Sequence, residues 1–136
     1  EGAPGEVVIG APGQYKWTIS VHGKKAHGGL EPEKGINAIM IAAKALAEVE
    51  RYGRIDEETT CNIGVIGGGV ATNVVPDLVV IEGDVRSRNN EKLEAVREEL
   101  VSTICNAVEK FGGKFTAEVE HKYSSCLIDT NSTVVK

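Results

Sequence analysis

Cysteine is scarce in this chain. Cys61, Cys105 and Cys126 are an odd number with no CxxC spacing, which argues against a disulfide framework and against a cysteine-rich metal site. A reducing, cytoplasmic setting is therefore expected. Histidine is equally sparse: His22, His27 and His121 stand in unrelated contexts with no HExxH, so this chain by itself is expected to bind no catalytic metal. No GxSxG elbow accompanies Ser20, the strand serine nearest the histidines, and a Ser/His/Asp nucleophile is unsupported. No apolar run approaches the roughly 20 residues that cross a bilayer, and no signal-peptide pattern is present, so no membrane partner is expected. The net charge is -5, and the 15 lysines and arginines are scattered rather than gathered into a stripe, which argues against nucleic acid.

What is present, 41% hydrophobic and 26% charged residues, fits one ordinary domain with a real core. The chain starts at Glu1 without Met, and its opening EGAPGEVVIGAPG is rich in Gly and Pro, as in a lead-in segment of something larger. The boundaries expected are 1–13 for that segment, 14–123 for the folded domain and 124–136, polar and aperiodic, for an exit segment.

Within 15–22, Trp17, Ile19 and Val21 alternate with Lys16, Thr18, Ser20 and His22, the period of a strand with one buried face. Beyond a glycine-rich loop, Ile36, Ile39, Met40, Ala43, Leu46 and Ala47 recur at helical spacing with Asn37, Lys44 and Glu48 opposite. This predicts a helix of about four turns capped by Gly53. In TTCNIGVIGGG, Cys61, Ile63 and Val65 alternate with Thr60, Asn62 and Gly64 as a second strand. Its terminal glycines could suggest a phosphate cradle, but such loops open a helix and this one runs into Pro76 and another strand, so a wide hairpin turn is expected. The third strand, 78–87, places Ile81, Gly83 and Val85 on one side and Glu82, Asp84 and Arg86 on the other. Asn89 or Asn90 caps a second helix with Leu93, Val96, Leu100, Ile104, Val108 and Phe111 as its buried stripe, closed by Gly112 and Gly113. Phe115, Ala117 and Val119 mark a fourth strand, on which His121 is expected to be partly buried.

Strand, helix, strand, strand, helix, strand is the ferredoxin-like βαββαβ arrangement. The expected fold class is α+β, a two-layer sandwich with a four-stranded antiparallel sheet of order 4-1-3-2 and both helices on one face. Right-handed crossover makes strands one and two parallel, with strand three between them. The loop carrying His27 and the hairpin carrying Asn73 then share one end of the sheet, and Arg86 lies at the other.

Local chemistry leaves two readings open for each candidate. His27, in AHGG, is a solvated loop residue or a hydrogen-bond donor to a developing oxyanion. Asn73 serves its own turn or binds a substrate carbonyl or carboxylate. Arg86 pairs with Glu82 and Asp84 on its own face or clamps a carboxylate in bidentate fashion.

The stretches ISVHGKKAHGGLEPEKGINAI, NIGVIGGGVATNVVPD and IEGDVRS follow one another in that order. Together they resemble the dimerisation or lid domain of the dinuclear-zinc exopeptidases, the family of peptidase T, carboxypeptidase G, acetylornithine deacetylase and succinyl-diaminopimelate desuccinylase. The likeness runs from about residue 13 to residue 123, and GRIDEETTCNIG with NVVPD is nearest the tripeptidase, peptidase T-like branch. The resemblance implies a homodimer that hydrolyses short peptides as an aminopeptidase. Its two zinc ions and their ligands belong to a catalytic domain absent from this chain, so the segment alone is expected to be inactive. It also implies that His27 steadies the oxyanion in the partner's active site, that Asn73 contacts substrate across the dimer, and that Arg86 receives a substrate carboxylate. A related deacylase or carboxypeptidase is the alternative enzyme, and a ferredoxin-like small-molecule-binding regulatory module the alternative outside enzymes. Strand two, a sheet edge, and Ile41, placed on the outer face of the first helix, are the expected dimer contacts.

Overall fold

Alternation along β2 (Gly13–His22) sends Tyr15, Trp17, Ile19 and Val21 into the core and leaves Lys16 in solvent. The computed structural model describes residues 10–123 and 126–127, with side chains over residues 12–122. β7 (Leu78–Ser87) pairs with β2 along its whole length and contributes Val79, Ile81 and Val85 to the same face. β8 (Lys114–Tyr123) pairs with the other side of β2, and β5 (Thr59–Gly68) with the other side of β7. The order β8-β2-β7-β5 is the expected 4-1-3-2, and all neighbours are antiparallel. The two-residue β4 (Gly53–Arg54) adds a fifth strand outside β5, pairing with Thr60 and Cys61 only. The fold is α+β and ferredoxin-like, with one extra short edge strand.

Two helices cover one face. In α2 (Asn90–Lys110), Asn89 caps the first turn by accepting from the Lys92 amide at 3.0 Å, and Leu93, Val96, Leu100, Ile104 and Val108 are buried, as the spacing predicts. α1 (Ala38–Ala47) departs from its expected form in three ways. It is about three turns long rather than four, it ends at Glu48, and Gly53 lies in β4 instead of capping it. Asn37 is not a face residue but the N-cap, accepting from the amides of Ile39 and Met40 at 3.0 and 3.1 Å. Its buried face is Ala38, Ile41, Ala42 and Ala45, whereas Ile39 and Met40 are 45% and 52% exposed. Ile41 is therefore core and not an outer contact. The reason is compositional: AIMIAAKALA is apolar on nearly every side, so period alone cannot fix its phase, and the small alanines let the helix lie close to the sheet.

A β-bulge in β5 between Ile63 and Val65 reverses the alternation beyond it. Val65 consequently sits opposite Glu82 on the uncovered face, 53% exposed, instead of continuing the inward row of Cys61 and Ile63.

The expectations for residues 1–9, 124–125 and 128–136 lie outside the described residues. Within the segments expected to be irregular, β1 (Gly10–Ala11) pairs with β9 (Cys126–Leu127), so the two ends of the domain run side by side. Near this end, Tyr15 donates its hydroxyl hydrogen bond to Glu94, Arg97 lies over the Tyr15 ring at 4.9 Å, and His121 stacks on the same ring with centroids 4.5 Å apart. His121 is exposed on the edge strand rather than partly buried.

The Tyr15 hydrogen bond is the main cause holding the Glu94 carboxyl below its ordinary range, with Arg97 assisting, and the main cause holding the Tyr15 phenol above its own. For Glu94 the contribution to stability is complete above the ordinary carboxylate pKa of about 4.3 and is lost as pH falls through the lower folded value. For Tyr15 it is complete below about pH 10 and is lost as pH rises through the higher folded value. Urea midpoints followed from acid to alkali should decline at both extremes, and Tyr15→Phe should flatten both limbs. Limbs unchanged in that variant would show that this pair is not their origin.

Candidate functional site

β3 (Ala26–His27) and β6 (Val74–Val75) form a two-residue antiparallel ladder at the end of the sheet away from β1 and β9, with His27 opposite Val74. One residue beyond the ladder, the Gly28 amide donates to the Asn73 carbonyl at 2.7 Å. A Cβ on Gly28 would stand 3.1 Å from that oxygen, so glycine permits the two loops to come this close. The ladder is anchored from below. Gly23 donates to the Asp77 carbonyl, Lys24 and Ile36 exchange both backbone bonds, and the first amide of α1, from Ala38, donates to the Pro76 carbonyl, each at 2.9 Å. His27 and Asn73 are thus exposed side chains on a fixed base.

The ring of His27 is oriented. Its Nδ1 accepts from the amides of Gly29 and Leu30 at 3.1 and 3.0 Å, and its carbonyl accepts from the Glu31 amide at 3.0 Å. Neither Nε2 nor the Asn73 side-chain amide has a partner among the described residues. Both point-polar groups are available to something outside the chain. Leu30 and Val70, 77% and 74% exposed, flank them on the same two loops.

Arg86 is not brought to this pair. It lies eight residues along β7 from Leu78, about 26 Å away, opposite Gln14 and Thr60 on the uncovered face. Its Nε donates to Asp84 Oδ2 at 3.2 Å, and Gln14 donates to the same oxygen at 3.1 Å. Among the described residues no three His, Cys, Asp or Glu side chains converge on a point that could hold a metal, so these residues do not themselves form a zinc centre. Also among the described residues, no helix is long and apolar enough to cross a membrane.

The sheet edge completes the picture. β4 covers β5 only at Thr60 and Cys61, which leaves 62–68 unpaired on its outer side among the described residues. Beside it, Ile39 and Met40 of α1 and Ile66 of β5 expose apolar surface, with Leu46, Ala47, Val49, Tyr52 and Ile63 around a hollow along the same edge. Sequence reasoning missed Ile39 and Met40 as surface residues because it placed them inside. It also missed the two amides on His27, for which the only signal was the turn-forming run of glycines.

Among the described residues the ferredoxin-like sandwich thus presents a bare stretch of edge strand, an apolar outer helix face and two polar loops tied to each other. The chain matches the peptidase dimerisation domain model over residues 9–111 and belongs to that family. It is 41% identical over 136 residues to the uncharacterised protein YqjE of Bacillus subtilis, covering 100% of this chain and 36% of that protein. The solved structure of aminopeptidase PepT from Bacillus cereus is similar at a TM-score of 0.85 and 42% identity, over 95% of this chain and 34% of that one. A tripeptidase from Staphylococcus aureus follows at 0.83 and 37%, over 93% and 34%. The chain therefore spans about a third of the length of these relatives.

Proposed function

We propose that this chain is the dimerisation lid of a cytoplasmic, metal-dependent aminopeptidase that cleaves short peptides, tripeptides foremost, and that it works as part of a homodimer. In this reading residues 1–13 and 124–136 lead to and from a catalytic domain that holds the zinc ions, and the lid alone is inactive. His27 enters the partner's active site as an oxyanion donor, Asn73 contacts the same substrate, and Arg86, near the β1 and β9 end, serves a substrate carboxylate in its own subunit. The observation that carries the reading is the 2.7 Å bond from Gly28 to Asn73, which ties together two loops whose imidazole Nε2 and carboxamide have no partner among the described residues, at the end of the sheet away from β1 and β9. The similarity to an aminopeptidase and a tripeptidase favours the substrate class.

The full-length protein loaded with zinc should release the first residue from free tripeptides and leave N-acylated amino acids intact. Cleavage of the acylated compounds instead would replace this reading with that of a deacylase.

Pairing would use the outer side of 62–68 of β5, unpaired among the described residues, antiparallel to itself across a two-fold axis near Val65, with the exposed faces of both α1 helices beside it. Because Ile39 and Met40 are already in solvent, Ile39→Glu with Met40→Glu should leave the far-ultraviolet circular dichroism unchanged while halving the mass seen by light scattering. A dimer that survives this double substitution would place the interface elsewhere.

A further inference from the structure

We propose that the backbone amides of Gly29 and Leu30 lock His27 as the Nε2–H tautomer, which makes the imidazole a one-way hydrogen-bond donor. This deepens the oxyanion reading above and rests on it for its catalytic meaning. An amide N–H can only donate, so with two of them at 3.1 and 3.0 Å the Nδ1 atom must present its lone pair. A proton on Nδ1 would face two other protons. The ring's one hydrogen is therefore on Nε2, the atom with no partner among the described residues. The arrangement has the form of a helix N-cap, in which a side-chain acceptor takes the amides two and three residues on, here with imidazole as the acceptor. The bond from Glu31 to the His27 carbonyl closes the turn and holds those amides in place. A donor aimed this way stabilises negative charge as it develops, and with Nδ1 already occupied it is not set up to act as a general base. Gly29 and Leu30 are positioning residues that act through their main chain, which explains why Leu30 can expose its side chain.

Two measurements test the lock. In the chain labelled with ¹⁵N-histidine, with the three histidines assigned by single His→Gln variants, long-range proton–nitrogen correlation at neutral pH should show Nε2 protonated and Nδ1 bare for His27. The Nδ1–H form, or an even mixture, would overturn the proposal. In the full-length enzyme, His27→Gln places an amide near the Nε2 position and His27→Asn near the Nδ1 position, so kcat should be about ten-fold higher for Gln than for Asn. Equal kcat for the two, with His27→Ala clearly slower than wild type, would overturn the assignment of Nε2 as the acting atom. If His27→Ala itself loses no activity while the nuclear resonance pattern is as stated, the oxyanion reading fails and the tautomer lock stands.

Discussion

Replacing His27 by alanine in the full-length protein should lower kcat for tripeptide cleavage by about 10²–10³, the usual cost of one oxyanion donor. KM should change little, because a donor aimed at developing charge contributes to the transition state and hardly to the bound ground state. Stability should also be untouched, since His27 is exposed and its ring accepts two amides that water can satisfy in its absence. The decisive extension is a mixed dimer. When the His27→Ala protein is combined with a subunit inactivated in its catalytic domain, each heterodimer contains one intact site built from the two. Random exchange at equal amounts should then recover about a quarter of wild-type activity from two nearly dead proteins. Recovery absent despite demonstrated subunit exchange would mean that His27 serves its own subunit. An unchanged kcat in the single variant would remove His27 from the chemistry.

Trp17→Ala should destabilise the chain by about 3–5 kcal/mol, a large share of the roughly 5–15 kcal/mol of a typical domain. Trp17 is fully buried in the central strand β2, between the sheet and the helices. Its packing depends on Gly83, the residue opposite on β7: a Cβ there would lie 2.4 Å from Trp17 Cζ2 and 2.2 Å from the Asn62 carbonyl oxygen. The carbonyl belongs to β5 and cannot swing aside like the tip of a flexible side chain, so Gly83→Ala should cost about 1–3 kcal/mol through strand displacement. Trp17→Phe should cost less than Trp17→Ala, because it refills part of the volume and removes a buried indole N–H that has no partner among the described residues. Urea unfolding followed by circular dichroism provides the ranking, as the chain has a single tryptophan and its fluorescence disappears with it. A loss below about 1 kcal/mol for Trp17→Ala would show that the site collapses around the deletion.

Where side-chain period and burial agreed, the fold was legible from the residues. The alternation of Trp17, Ile19 and Val21, that of Ile81 and Val85, and the stripe from Leu93 to Val108 all lie as the spacing implies. Legibility failed where the pattern was degenerate or locally interrupted. α1 is apolar all round, so its inner and outer faces could be exchanged without penalty to the period, and only packing against the sheet decides that Ile41 is inside and Met40 outside. The bulge at Gly64 adds one residue to β5, and a single added residue is enough to turn Val65 over. The nearness of His27 and Asn73 followed from topology, because parallel strands begin and end at common ends of a sheet. The contacts that orient them did not, since backbone amides carry no signature in side-chain identity.

The bond from the Ala38 amide to the Pro76 carbonyl joins the first turn of α1 to the segment that holds Asn73. The helix whose outer face is apolar and the loops that carry His27 and Asn73 are consequently linked through the main chain. In the proposed homodimer a shift at the apolar face would be passed through that bond to the loop tips, so the seating of the two copies would bear on the distance between His27 and whatever it touches. A substitution at Met40, remote from any chemistry, would then read out as a change in turnover before it read out as a loss of assembly.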